Sequence, residues 1–311
     1  PFLLLRSFFM QALWMALVAL FFALLGVCIK LAAQAGYGTL EIVFYRGLTG
    51  VVLFSALLWL RGTRLATPVP LLHGRRNVAG ITAMSLWFYA IGHLPFATSM
   101  TLNTMSSVWL GTLVIVAAWW KTRRIAYPWL FVAVLCGFVG VVLLLNPRMA
   151  GNDPLAALLG LVSGMMSALA YLQVSALGRA GEPETRTVFY FSLGTTLVGL
   201  VGTLLFAGFS LLEWRTAWLL PATGIFASLG QWCMTRAYTR GSTLVVATLQ
   251  YLGIVYASLF SLWLFHERLE PAAWLGMVII VLSGIAATWV RQHQAMQQAA
   301  RNAGCQPRPE Q

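Results

Sequence analysis

The sequence predicts an all-α polytopic membrane protein with ten transmembrane helices in two inverted five-helix repeats. Three observations predict it. Hydrophobic residues make up 59% of the 311-residue chain and charged residues 9%, with a mean hydropathy of +0.80, more apolar surface than a water-soluble core can hide. Apolar runs of the roughly 20 residues that cross a bilayer recur from residue 8 to residue 290. Alternating ten-residue segments are absent, so in lipid the backbone must satisfy its hydrogen bonds within helices and not in a closed barrel.

The spans follow in order. The first covers 8–33 and carries Lys30 near its end; the second, 39–60, places Arg46 about five residues inside its start. The third covers 77–93, and the fourth, 96–120, opens with His93-Leu94-Pro95-Phe96-Ala97. The fifth, 127–145, holds Gly137 and Gly140 in an apolar run. Asn146 to Pro154 is the loop that combines Asn, Pro, Gly and Asp, and it marks the boundary between halves. The sixth to tenth spans cover 154–177, 186–209, 217–239, 242–265 and 270–290, the last again carrying glycines, Gly276 and Gly284. The organisation is a first repeat over 1–150, a second over 151–290 and a polar tail over 291–311.

Internal matches support a duplication. Val43-Phe44-Tyr45-Arg46 recurs as Val188-Phe189-Tyr190-Phe191, and Trp109-Leu110-Gly111 as Tyr251-Leu252-Gly253. Five spans per repeat is odd, so the second repeat enters the membrane from the opposite side. Inverted repeats generate a pseudo-two-fold axis in the membrane plane and a site near the midplane, the architecture of secondary transporters.

The net charge of +12 reads as topology, not as nucleic-acid binding. With the N-terminus in the cytoplasm, the inner segments carry Arg6, Arg61, Arg64, Arg75, Arg76, Lys121, Arg123, Arg124, Arg179, Arg186, Arg236, Arg240, Arg291, Arg301 and Arg308. The outer loops carry Arg148, Arg215 and Arg268. This bias puts both termini in the cytoplasm of a bacterial-type inner membrane. No cleavable signal peptide is expected, since the first apolar segment is too long and lacks a small-residue cleavage site. Cys28, Cys136, Cys233 and Cys305 lack metal-ligand or redox spacing and read as small packing residues.

Polar groups at membrane depth nominate the pathway, because each costs free energy there. Lys30 is close enough to a helix end to snorkel, and Arg46 either pairs with Glu41 or attracts a substrate carboxylate. No Asp or Glu lies near a helix centre, which argues against coupling through a deep carboxylate and for facilitated diffusion. His73, His93, His266 and His293 read as solvated or interfacial. Trp87 and Tyr89 in the third helix, and Asn103, Ser106 and Ser107 in the fourth, are candidates for a cavity wall. So are Ser163, Ser167 and Tyr171 in the sixth, at i, i+4 and i+8 on one face, and Gln231 in the eighth. Gln250 and Tyr251 complete the set from the ninth helix, with Trp109 as the counterpart of Tyr251 in the first repeat. Nine tryptophans, Trp59, Trp119, Trp120, Trp129, Trp214, Trp218, Trp263, Trp274 and Trp289, fall near span ends and read as interfacial belts.

Lys30, Arg46 within Val-Phe-Tyr-Arg-Gly, His-Leu-Pro-Phe-Ala and the ninth-helix ending Leu264-Phe265-His266-Glu267-Arg268-Leu269 together give the chain a family likeness. It resembles the EamA type of the drug/metabolite transporter superfamily over nearly its whole length. A proline usual in the fourth and ninth helices of that family is replaced by Leu110-Gly111 and Leu252-Gly253. The resemblance implies a carrier for small metabolites working by alternating access, and among the family's members YddG-type exporters of aromatic and other amino acids look the most plausible relatives. S-adenosylmethionine or another metabolite or drug is the alternative cargo. An intramembrane enzyme finds no support, with no His-Glu-x-x-His, no deep Asp pair and no serine-nucleophile elbow. No catalytic residue, cofactor or metal is expected. The partners are the bilayer and a small-molecule substrate such as an amino acid, and the expected state is a monomer.

Overall fold

The computed structural model describes residues 2–63, 65–122, 128–145, 153–206, 208–211, 213–240 and 251–304. These form α1 (Phe2–Gln34), α2 (Thr39–Leu60), α3 (Pro70–His93), α4 (Phe96–Thr104), α5 (Ser106–Thr122), α6 (Pro128–Leu145), α7 (Pro154–Arg179), α8 (Glu184–Phe206), α9 (Leu219–Arg240), α10 (Leu252–Trp263) and α11 (Pro271–Gly304). No strand occurs among the described residues. Helix starts follow local chemistry: Pro70 and Pro154 sit at the first turn, where a missing N–H costs nothing, and Asp153 caps α7 by accepting from the backbone N–H of Leu155 at 2.9 Å.

Three boundaries stand out from the sequence expectation. The third helix starts at Pro70, not near residue 77, which brings His73, Arg75 and Arg76 into it. The fourth span is two helices, broken at Met105, whose N–H turns back to the carbonyl of Leu102 at 3.3 Å. The carbonyls of Leu102 and Asn103 lie against Gly164 of α7, where an added Cβ would come within 2.6 Å of the first. A glycine there admits the broken backbone of the facing helix. The tenth span continues as helix to Gly304, into the segment expected to be a polar tail. Of the ninth span the described part is α10.

The packing has the symmetry of an inverted duplication. The first helix of each repeat packs on the third of the other, α1 on α9 and α7 on α3, while α2 pairs with its own counterpart α8, and α6 with α11. The glycines give direction. A Cβ on Gly47 would meet Thr196 backbone at 2.6 Å and one on Gly199 would meet Phe44 backbone at 2.5 Å, so α2 and α8 cross antiparallel. Gly137 and Gly140 meet Ser283 and Ile280 in the same antiparallel sense, and Gly276 meets Leu144. Small residues let these backbones touch where lipid offers no hydrophobic drive for association. The crossing equates Gly47 with Gly199 and Gly50 with Gly202, about two helical turns beyond the Val-Phe-Tyr match read from sequence.

The surface fits a bilayer. All nine expected belt tryptophans are exposed, together with outward Leu and Val on α2, α6, α8 and α11. Ala16–Gln34, Thr39–Leu60, Pro154–Arg179 and Glu184–Phe206 are each apolar and long enough to span on their own. α3 is as long but less apolar, carrying His73 and Arg76 buried in the bundle and Arg75 and His93 exposed.

Candidate functional site

Helices from both repeats enclose a cavity of about 90 Å³ at the centre of the bundle, lined by Phe22 and Leu25 of α1, Trp87 of α3, Asn103 of α4, Tyr171 of α7, Phe191 of α8 and Gln231 of α9. Two arginines enter it. Arg46 is 5% exposed and Arg76 3% exposed. Their guanidinium carbons lie 5.1 and 4.2 Å from the centroid of the same ring, Phe191. Such cation–π contacts contribute about 2 kcal/mol when desolvated.

Hydrogen bonding leaves the arginines largely unmatched. Arg76 donates through Nη2 to Oε1 of Gln231 at 3.3 Å. Its Nε and Nη1, the Nε of Arg46 and the indole Nε1 of Trp87 are buried without a partner. The pairing of Arg46 with Glu41 allowed by the sequence does not occur: Glu41 accepts from Ser210 Oγ at 2.7 Å and from its backbone N–H at 3.3 Å. No carboxylate lines the cavity among the described residues. Arg76 was read from the sequence as a cytoplasmic topology charge, since Arg75-Arg76 precedes the expected span. Its true role is legible in spacing: Arg76, Gly80, Ala83, Met84 and Trp87 share one helical face and all line the cavity. Gly80 supplies the seat, because a Cβ there would lie 1.7 Å from Arg76 Nη1.

The expected neutral groups divide. Asn103 Nδ2 donates to Ser163 Oγ and Ser167 Oγ, both at 3.3 Å, joining α4 to α7 as the two polar faces required. Trp87, Asn103, Ser167, Tyr171 and Gln231 line the cavity. Tyr89 does not; it stacks on His93 at 4.1 Å near the end of α3. Trp109 and Tyr251 also stand outside the cavity wall, in the apolar cluster that α3, α4 and α7 share with α5, α6, α10 and α11. Six residues from Asn103, Trp109 is turned well away from the Asn103 face by helical spacing alone. The Trp109 indole instead donates to the Leu161 carbonyl at 3.2 Å and meets Phe138 edge-on at 5.2 Å. The Tyr251 hydroxyl packs against Gly284. The side chain of Ser107, and Gln250 as a whole, lie outside the described residues. Trp109→Ala is therefore expected to lower folded yield and melting temperature, by about 3 kcal/mol of lost packing, and to reduce transport of phenylalanine and alanine by equal factors. A loss confined to aromatic cargo in a kinetic panel would put the indole back in the substrate path.

Each end of the bundle carries a carboxylate that ties one repeat to the other. Where α1 ends, Lys30 does not snorkel: it is buried and forms an ion pair with Glu267, donates to the Leu94 carbonyl at 3.0 Å and sits 5.1 Å from the Phe265 ring centroid. Glu267 also accepts from Ser261 and from the Phe96 backbone N–H at 2.8 Å, capping α4. At the other end Glu182, in the loop before α8, accepts from Thr67 and from Arg186 at 3.1 Å. His73, expected to be solvated or interfacial, is buried there, 3.8 Å from Glu182 and 4.8 Å from the Tyr190 ring.

Known proteins agree with this architecture. The model of the EamA-like transporter family matches twice, over residues 9–146 and 154–289. The pseudopaline exporter CntI of Pseudomonas aeruginosa is 32% identical over 273 residues, which is 85% of this chain and 91% of that protein. An uncharacterized transporter of Helicobacter pylori is 27% identical over 277 residues, 86% of this chain and 91% of its own length. A solved crystal structure shares the fold, with a TM-score of 0.65 at 17% identity over 91% of this chain and 98% of that one. The chain belongs to the EamA-like transporter family of the drug/metabolite transporter superfamily.

Proposed function

We propose that the protein is a secondary carrier that exports small carboxylate-bearing metabolites, amino acids among them, across a bacterial-type inner membrane by alternating access. The observation that carries this reading is the pair of buried arginines with unpaired donors in a cavity built by both repeats. The cavity is smaller than the roughly 300–1,000 Å³ of usual ligand sites, so the repeats must part to admit a metabolite. Rocking about the α2–α8 and α6–α11 crossings supplies that motion. The direction is supported by likeness to an exporter. S-adenosylmethionine fits less well, since its sulfonium would face two guanidiniums. Two repeats in one chain already form the pseudo-symmetric pair, so the unit of function is a monomer.

Inside-out membrane vesicles test the reading: labelled phenylalanine and glutamate should enter vesicles containing the protein at a saturating rate well above that of vesicles lacking it, whereas entry only into right-side-out vesicles would reverse the direction. Topology has its own test. A single cysteine at Glu213, in a background without Cys28, Cys136, Cys233 and Cys305, should react with an impermeant thiol reagent on intact cells. Reaction only after permeabilisation would invert the orientation.

A further inference from the structure

We propose that the cavity selects metabolites bearing two acidic groups, one held by Arg46 and the other by Arg76, both beside the Phe191 ring. This rests on the carrier reading above and deepens it. A zwitterionic amino acid brings one carboxylate and one ammonium. The cavity offers two guanidiniums and no carboxylate to receive an ammonium among the described residues. Glu41, Glu182 and Glu267 are each engaged outside it.

Geometry favours a short diacid. Both guanidinium carbons contact one ring, at 5.1 and 4.2 Å from its centroid, so their separation is bounded by the sum of those distances. That interval is spanned by two carboxylates a few bonds apart. The unpartnered buried atoms of the cavity lining are all donors, Arg46 Nε, Arg76 Nε and Nη1, and Trp87 Nε1, so the wall asks for acceptors. Two like charges at one buried ring also repel each other, and each is desolvated; a dianion relieves both costs where a monoanion relieves one. Gly80 belongs to the same device, because its missing side chain lets the Arg76 fork lie along α3 instead of pointing away.

The test is binding by the purified full-length protein in detergent, read by quenching of tryptophan fluorescence and by thermal shift, with glutarate, L-glutamate, L-phenylalanine and L-lysine as probes. The expected order is glutarate, then glutamate, then phenylalanine, with lysine weakest and glutarate at least tenfold tighter than phenylalanine. Arg46→Gln and Arg76→Gln should each weaken glutarate more than phenylalanine, so that the glutarate advantage falls from at least tenfold to less than about threefold. Gly80→Ala, which keeps both charges and displaces the Arg76 fork and the neighbouring edge of the Phe191 ring, should do the same as Arg76→Gln and keeps the proposal testable if an arginine variant fails to fold. Equal affinity for glutarate and phenylalanine, or phenylalanine binding without glutarate, would overturn the diacid assignment and leave the amino acid carrier standing. Binding of none of the four by monodisperse protein would overturn both.

Discussion

Replacing Arg76 by glutamine is expected to lower transport of carboxylate substrates ten- to a hundredfold while the empty protein melts at or above the wild-type temperature. The two halves of this expectation come from one cause. A hydrogen bond to an ionised group contributes about 1.5–3 kcal/mol, and each 1.4 kcal/mol is a factor of ten. In the empty carrier, however, the Arg76 guanidinium is buried with two nitrogens unmatched, and removing an uncompensated buried charge relieves a desolvation cost. Glutamine keeps a donor and most of the stem volume, so the cavity wall survives. A structural arginine behaves oppositely, losing melting temperature and transport together, and that joint loss in a melting curve and a flux assay would reassign Arg76 to the scaffold.

Lys30→Met should have the second large effect, on conformation before substrate. The Lys30–Glu267 pair fastens the end of α1 to the α10–α11 loop, and Glu267 in turn caps α4. Removing one partner of a buried pair costs about 3–5 kcal/mol, because the other is left uncompensated. This shift exceeds a hundredfold in population, so the bundle end holding Lys30 should open, transport should fall, and a cysteine at Ser261 should gain reactivity. Removing both charges, in Lys30→Met with Glu267→Leu, should cost less than Lys30→Met alone. Simple additivity in this double-mutant cycle would show that the two side chains do not act on each other.

Lipid-facing structure was legible in the sequence because it depends on composition over long windows. The nine interfacial tryptophans needed only their distance from span ends, and all nine are exposed. Inward-facing structure depends on helix rotation, which an all-round apolar helix does not encode. Asn103, Ser167 and Tyr171 were nonetheless readable, since serines at helical spacing on α7 find the one asparagine of α4. Trp109 and Tyr251 were placed by repeat equivalence, a property of position along the chain, whereas their surroundings follow from contacts between helices, Trp109 with Leu161 and Phe138 and Tyr251 with Gly284. Lys30 and Glu267 stand 237 residues apart, a pairing that only the superposition of two repeats creates. Arg76 shows the converse problem: a charge that counts toward the positive-inside bias when read as loop is, in the fold, part of the cavity. The remaining basic residues preserve the bias without it.

The central claim is a carrier whose two buried arginines meet the cargo's carboxylates, and counterflow in proteoliposomes tests it most directly. Vesicles loaded with unlabelled L-glutamate and diluted into labelled L-glutamate should show a transient overshoot of label that saturates with external concentration. The Arg46→Gln/Arg76→Gln double variant, reconstituted at equal density, should show no overshoot. Flux that rises linearly with concentration without counterflow, or an overshoot unchanged in the double variant, would contradict the account.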